Sequence, residues 1–430
     1  MKGRVAIFIR DLLIRLKDSE KVGIICEEIL FSYKKWNWYS EKLSVEILKN
    51  ESAKIIGLFL PNSIAYAVSY FACLFSNKVV APFHIGSAIN ELLHTIKQCG
   101  IYTMITTEVY FSYIEEIAHK YNLFMNIIIV NNCGEIKKTV KLNNTIVLTN
   151  HSTENELEDV VVLLHTSGTT SSPKRVMLTN YGLLSNIKAH CVSLDLNDKE
   201  ISLIQLPMMF GYCHTAQFLT HIFLNACIVI NPNPFLTTNF YQLVEKWHIT
   251  NFTAVPSILL ALLKTKKISR DISSLKIVCF GGSPISKTKL LKLMNKFPSI
   301  AFIQTYGMTE AGPRITTVPR FSYIEKIGSV GQAIPNVLVR IIDSFGKTLP
   351  AGVIGEVIVK SKGVMKGYYK CENETKKILY DGWLHTGDLG YLSDEYRIGD
   401  KIDIVGTAEI NSFNGYENVQ LNIRDIMKSL

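Results

Sequence analysis

The stretch VVLLHTSGTTSSPKRVMLTN, residues 161–180, decides how the rest of the chain reads. Val161, Val162, Leu163 and Leu164 are apolar and rich in β-branched side chains, then stop abruptly at polar residues. That is the signature of a buried strand emptying into a loop. Thr166, Ser167, Gly168, Thr169, Thr170, Ser171 and Ser172 next crowd hydroxyls and backbone amides onto one turn, with Pro173 and Lys174 directly behind. Such donors wrap the oxygens of a polyphosphate, and the ammonium offsets its charge. The loop is not a Walker A loop, because no glycine stands before a Lys-Ser/Thr pair. A Ser/Thr-rich linker is the bland alternative. A linker rarely begins at the end of an apolar strand or runs on into a helix, here predicted over Leu178 to Ile187.

At 430 residues the chain is too long for one ordinary domain and predicts two or three units. Its 47% hydrophobic and 19% charged residues are those of a globular chain, not a disordered one. The net charge of +9 suits anionic ligands. The basic residues form doublets such as Lys34-Lys35 without aromatic interleaving, so nucleic acid is not an expected partner. Nine cysteines with no CxxC pair argue against a disulfide framework or a zinc site and for a reducing compartment. The N-terminus reads as an amphipathic first helix, since Arg10, Asp11 and Arg15 interrupt its apolar residues. The most apolar later stretch, Ile64 to Ser76, is too short to span a bilayer. The expectation is a soluble, cytoplasmic protein.

Upstream of the opening stretch, strands are expected at Lys54 to Leu60, Val79 to Ala81, Tyr102 to Thr106 and Met125 to Val130. Helices are expected at Ile64 to Phe75, Ile89 to Gln98 and Tyr113 to Tyr121. Asn131 to Glu158 reads as a polar surface connection. Downstream, strands at Leu203 to Leu206 and Ala226 to Ile230 flank a helix at Ala216 to Phe223, and strands at Phe252 to Val255, Leu275 to Phe280 and Phe302 to Thr305 follow. This alternation implies two sets of βαβ units. From about Tyr323 glycines and prolines punctuate short runs such as Val337 to Ile342 and Glu356 to Val359, which predicts a small β-barrel or sheet.

Three further segments carry chemistry. Gly281, Gly282 and Ser283 end a strand in a turn whose missing side chains let a flat ring approach the backbone. Tyr306, Gly307, Met308, Thr309 and Glu310 combine a ring that stacks on a base, a phosphate-binding hydroxyl and a carboxylate for Mg²⁺. Asp388, inside DGWLHTGDLG at 381–390, is suited to accept two ribose hydroxyls.

The motifs SGTT-x-x-PK (167–174), YGMTEAG (306–312), GEVIVKSKGVMKGYY (355–369) and DGWLHTGDLG (381–390) stand together in one order and spacing. In this the chain resembles the AMP-forming adenylating enzymes: acyl- and aryl-CoA synthetases, adenylation domains of nonribosomal peptide synthetases and luciferases. The resemblance runs from about Ser32 to Asp394. It implies an α/β fold of two layered βαβ subdomains (about 1–322), a small β-barrel (about 323–395) and, over 396–430, a remnant of a mobile α+β domain. It also implies that ATP and a carboxylate give an acyl-adenylate and pyrophosphate, after which CoA or the phosphopantetheine of a carrier protein takes the acyl group. On this likeness Thr166, Ser167, Gly168, Thr169, Thr170 and Lys174 grip the polyphosphate. Gly281, Gly282 and Ser283 border the adenine and acyl pockets, and Tyr306 with Gly307 lies against the adenine. Thr309 touches the α-phosphate, Glu310 holds Mg²⁺ and Asp388 holds the ribose, which makes Lys174, Thr309 and Glu310 the catalytic set.

The departures are as informative. Ser171 and Arg175 stand where the family usually has glycine, which implies a stiffer loop and an added charge near the phosphates. The hinge falls at Gly399 to Asp403 or at Gly406 to Glu409, in either case without the family's arginine, and Lys428 lacks the context of its C-terminal lysine. The expectation is a domain supplied in trans, or a catalytically impaired relative that binds nucleotide or acyl-adenylate as a partner or sensor. Phe210, Gly211 and Tyr212, with Gly282 and Gly307, mark the acyl pocket. Gly211 occupies the place of the aspartate that pairs an amino-acid ammonium, so a fatty, aryl or other acid without an α-amino group is expected. His165 and His214 are weaker candidates for polarising the substrate.

Overall fold

The computed structural model describes residues 8–49, 53–143, 156–166, 174–266, 269–320 and 323–393, and the backbone of 408–413 and 416–421. Two large sheets dominate. One has nine strands in the order 332–333, 312–317, 301–308, 277–280, 251–254, 201–204, 227–230, 22–26 and 29–32. Its central strands pair in parallel, as βαβ crossovers require. The other has eight strands in the order 367–368, 175–179, 160–165, 79–82, 55–59, 103–107, 125–130 and 136–142. Val160–His165 runs parallel to Val79–Pro82 and antiparallel to Arg175–Thr179, so the opening stretch forms a hairpin inside this sheet.

The core lies between the sheets. One buried cluster takes Ile24, Ile204 and Ile228 from the nine-stranded sheet and Ile56, Val80 and Val162 from the other. The helices Tyr33–Leu48 and Ile64–Phe75 fill the space between, each N-capped by a serine, Ser32 to Lys35 N and Ser63 to Tyr66 N. Eleven of the twelve residues of Ile64–Phe75 are buried, which explains an apolar run too short for a membrane yet hydrophobic all round. Among the described residues no helix is long and apolar enough to cross a membrane.

Residues 337–390 form a four-stranded antiparallel sheet, ordered 337–342, 355–361, 383–390 and 379–380. Of the two forms its glycine-rich texture allows, it takes the open sheet. Beyond it, Ala408–Phe413 pairs with Tyr416–Leu421.

Among the segments that differ from their sequence reading, the helix expected from Tyr113 starts at Glu108, and three others follow. The helix predicted from Leu178 starts at Asn180, because Leu178 completes the hairpin and the Thr179 hydroxyl accepts from Gly182 N at 3.1 Å as its cap. Ile136–Leu142, expected within a loop, is an edge strand on Met125–Val130. Its outward Lys137, Lys138 and Lys141 hid the strand pattern, and lysines are what keeps such an edge from pairing with other chains. The helix around Ala216 contains a π-helical turn, His214–Leu219, within Gly211–Phe223.

Candidate active site

The strands 251–254, 277–280 and 301–308 end at one edge of the nine-stranded sheet, where α/β sheets bind ligands. Gly281 is buried there, and a methyl on it would lie 2.6 Å from Thr305 O and 2.8 Å from Thr305 Oγ1. Gly307 is as confined, its would-be Cβ 2.4 Å from Pro313 backbone. Gly282, at φ +78°, is open to solvent, and the exposed Ser283 spends its hydroxyl on Gly282 O at 2.6 Å. Replacing Gly281 with alanine is therefore expected to push the 281–283 turn off Thr305. It should raise the Michaelis constant for nucleotide far more than the same change at open Gly346, a comparison that steady-state kinetics makes directly.

Glu310 is buried at the turn after strand 301–308. The Tyr368 hydroxyl donates to its Oε1 at 2.7 Å, and Met365 N donates to its backbone oxygen at 2.7 Å. Lys174 Nζ lies 4.8 Å above the ring of the same Tyr368. Tyr368 arrives because Gly367–Tyr368 adds a strand to Arg175–Thr179, docking one glycine-rich segment against the hairpin that carries Lys174. Thr166 N donates to Lys174 O at 3.3 Å and closes the base of the loop. Burial pushes the Glu310 carboxyl above its usual range, opposed by Tyr368 and Lys174 and reinforced by Asp388. Ser167, Gly168, Thr169 and Thr170, with Ser171, lie outside the described residues.

Asp388 comes from the strand Trp383–Gly390 of the small sheet, and its Oδ2 accepts the Tyr306 hydroxyl at 2.6 Å. The two residues that the sequence assigned to ribose and base thus meet across 82 positions. Burial raises the Asp388 carboxyl as well. Its backbone is fixed by Asp388 N donating to Thr386 Oγ1 at 3.1 Å, while Thr386 donates to Val357 O at 2.7 Å. Glu356 braces the same turn, accepting from Gly387 N at 3.3 Å and lying 3.1 Å from His385 Nδ1.

Gly211, from the segment that the resemblance assigns to the acyl pocket, comes close to Thr309: a methyl on it would sit 3.6 Å from Thr309 Oγ1. The Tyr212 hydroxyl lies 3.1 Å from Thr305 Oγ1 and would lie 3.3 Å from a methyl on Gly281, so it reaches the turn that Gly281 begins. Phe210 is turned outward against the ring of His84, with centroids 6.0 Å apart. Beneath Tyr212 lies a residue that motif reading passed over, Arg314, its guanidinium 4.6 Å from the ring.

The histidines and Arg175 are employed elsewhere. His214 is fully buried, its Nε2 2.8 Å from the Tyr70 hydroxyl, and burial pushes its pKa down to about 3. His165 Nε2 lies 3.0 Å from Glu91. Arg175 adds no charge to the phosphate loop. It is buried and donates from Nη1 to Pro82 O at 2.7 Å and Leu163 O at 3.2 Å, over the ring of Phe83. Neighbours on an extended chain point to opposite sides, so where Lys174 faces the site Arg175 turns into the sheet.

Ammonium, hydroxyls and two carboxylates around one strand edge suit a phosphorylated nucleoside. Among the described residues no group of three metal-ligating side chains occurs. Mg²⁺ commonly takes one or two carboxylates and completes its shell with phosphate oxygens and water, a requirement that buried, once-bonded Glu310 fits.

Comparison with known proteins agrees with this geometry. Residues 17–369 match the family of AMP-binding enzymes. Among curated relatives, 4-coumarate-CoA ligase 1 of Narcissus pseudonarcissus is 28% identical over 381 residues, 84% of this chain and 68% of that protein. The 4-coumarate-CoA ligase of Pinus taeda is 28% identical over 382 residues, 85% of this chain and 69% of that protein. Among solved structures, the o-succinylbenzoate coenzyme A synthetase of Bacillus subtilis with ATP and magnesium ion superposes with a TM-score of 0.78 at 20% identity, over 94% of this chain and 81% of that one. McyG A-PCP with phenylalanyl-adenylate gives 0.81 at 19% identity, over 97% and 79%. The family match spans most of the chain, which therefore belongs to the AMP-binding enzymes and carries their α/β adenylating fold.

Proposed function

We propose that the chain activates a carboxylic acid without an α-amino group and passes it to the thiol of CoA or of a carrier-protein phosphopantetheine. The substrate carboxylate attacks the α-phosphorus of ATP, an O–P bond forms, and the P–O bond to pyrophosphate breaks. The thiol sulfur then attacks the acyl carbon, AMP leaves with the bridging oxygen, and the thiol proton passes to solvent. No protein nucleophile is needed, so the residues contribute position and charge. Lys174 neutralises the departing pyrophosphate, Thr309 bonds the α-phosphate, and Tyr306 with Asp388 holds the nucleoside. Glu310 would hold Mg²⁺, which when bound would supply further charge neutralisation at the phosphates. The observation that carries the reading is the convergence of Lys174, Tyr368 and Glu310 with the Tyr306–Asp388 pair, from four distant segments.

The division into α/β subdomains to about 322, the small β unit to about 395 and a following segment belongs to this proposal, as does cooperation with a domain or carrier in trans. A reducing, cytoplasmic setting is supported by nine unpaired cysteines. ATP–pyrophosphate exchange across a panel of carboxylic acids tests the reaction. Exchange with at least one acid is expected; nucleotide binding with no exchange, even after a homologous C-terminal domain is added, sinks it and leaves a binding relative.

Tyr368→Phe gives a signed pH result. The hydroxyl holds the Glu310 pKa down against burial, so its removal lets that pKa climb. Glu310 then ionises only at higher pH, and the acid limb of the exchange–pH profile should move upward, with little change at alkaline pH. An unmoved limb contradicts the assignment of Glu310.

A further inference from the structure

The net charge of the chain is not spread along it. Residues 246–309 hold ten of the 46 Lys and Arg but, of the 37 acidic residues, only Asp271, so this segment carries the whole +9 and the remainder balances. The fold gathers that charge on one side. The helices Thr237–Trp247, Pro256–Lys264 and Lys287–Lys296 cover the nine-stranded sheet, burying Val244, Leu259 and Leu293 against Val229, Phe252 and Val278. Their face is the one turned away from the eight-stranded sheet, since the alternate residues Ile204 and Ile228 belong to the cluster between the sheets. Lys296 Nζ donates to Leu262 O at 2.9 Å and Leu263 O at 3.1 Å, so the last two helices end side by side. Lys264, Lys266, Lys287, Lys289 and Lys292 are exposed, and among the described residues none of them has a hydrogen bond or an ion pair. Lys246 and Arg270, by contrast, are answered by Glu28 and Glu245. Like charges without acidic neighbours repel one another, so an acidic partner laid over them relieves that repulsion at every contact.

Composition and place select the partner. The charges run along about 15 Å of Lys287–Lys296 and across to the neighbouring helix, a spread that suits a second macromolecule. Exposed Leu291 stands among them, which gives an apolar centre with a charged surround, the layout of a protein interface. One leucine is too little to seat the face in a bilayer, and among the described residues of 246–309 no exposed aromatic ring offers a nucleic-acid base a stacking platform. Lys287 opens its helix four residues after Ser283, within about 14 Å by chain length, so the patch begins at the rim of the candidate active site. We infer that this face docks an acidic carrier protein, which brings its phosphopantetheine thiol to the acyl-adenylate. This rests on the thiol-transfer step proposed above and selects between its two acceptors, because CoA has no protein surface to lay on the lysines.

The test uses the full chain with an acidic holo-acyl carrier protein and with CoA, read by acyl-thioester formation and, without ATP, by fluorescence anisotropy of labelled carrier. One triple variant combines Lys287→Glu, Lys289→Glu and Lys292→Glu. A control combines Lys137→Glu, Lys138→Glu and Lys141→Glu, the same change of charge on the edge strand of the other sheet. Wild type is expected to load the carrier. The 287/289/292 variant should raise the KM for carrier and weaken its binding by about 10- to 10²-fold, leaving kcat, the KM for CoA and ATP–pyrophosphate exchange unchanged. Added sodium chloride should weaken carrier binding by wild type far more than by that variant. Carrier KM and binding that survive the three substitutions, an equal loss in the control, or use of CoA alone overturns the inference but leaves the proposed reaction standing. Binding of phosphatidylglycerol vesicles or double-stranded DNA in place of carrier, lost in the same variant, gives the face to another partner and also overturns it. Carrier binding lost only in the 287/289/292 variant, with no exchange for any acid, supports the docking face and counts against the reaction instead.

Discussion

Replacing Lys174 or Glu310 with alanine is expected to slow ATP–pyrophosphate exchange by about 10²- to 10³-fold, the loss typical when one preorganised electrostatic contact is removed from a transition state. Lys174 is held over Tyr368 and Tyr368 is bonded to Glu310, so the cation and the carboxylate are fixed relative to each other before any ligand arrives. Their effects should be less than multiplicative in the double variant, because both act on the same phosphates. Glu310→Gln separates catalysis from stability. The folded-state pKa of Glu310 is raised, so its ionisation penalises the fold, a penalty absent below the unfolded-state pKa, growing as pH rises to the folded-state value and constant above it. The glutamine variant should therefore melt higher than wild type at neutral pH, by less at acid pH, while its exchange rate falls. Exchange that persists in Lys174→Ala and Glu310→Ala would remove the basis for the site.

Trp36→Ala should cost about 3–5 kcal/mol in the urea unfolding of the large α/β unit, the range for deleting a fully buried large aromatic. Trp36 stands at 0% exposure on the helix Tyr33–Leu48. Its ring centroid lies 5.8 Å from Tyr33, 5.5 Å from Phe71 and 6.0 Å from Phe218. It therefore ties its own helix to Ile64–Phe75 and to the π-helical turn that continues from Tyr212. A hole there weakens the packing between the two large sheets and loosens the acyl segment, so exchange should fall at temperatures where the protein remains folded. Val109→Ala at the exposed surface is the control, expected within about 0.5 kcal/mol of wild type. A change below about 1 kcal/mol for Trp36→Ala would show that the aromatic cluster is not what joins the sheets.

Much of the fold was legible along the chain because its elements are short, alternating and punctuated. Val337–Ile342 matches its sequence reading at both ends, since six apolar-rich residues between a Pro335-Asn336 turn and a glycine turn have one reasonable conformation. Ile64–Phe75 does too, with a serine cap before it and a turn after. Ile136–Leu142 was hidden because an edge strand exposes charged residues on its open side and lacks the apolar density that marks a central one. The start of the helix at Asn180 was missed because Val176 to Leu178 is apolar enough for either period, and only pairing with Val160–His165 settles it as strand.

The sequence by itself determined the motifs, their order and the chemistry they offer: a hydroxyl-rich turn with Lys174, a stacking tyrosine, and carboxylates at 310 and 388. Those follow from residue identity alone, which is why the resemblance to adenylating enzymes was available before any coordinates. Only the tertiary structure decided which side chains meet. Tyr368 joins Lys174 to Glu310 because a two-residue strand docks on the hairpin. Arg175, next to Lys174 in sequence, is turned into the sheet by the alternation of an extended chain. Arg314, silent in every motif, becomes the charged floor beneath Tyr212 because burial strips it of solvent and packing gives it no carboxylate among the described residues. Burial and pairing are properties of the folded neighbourhood, and a one-dimensional pattern records neither.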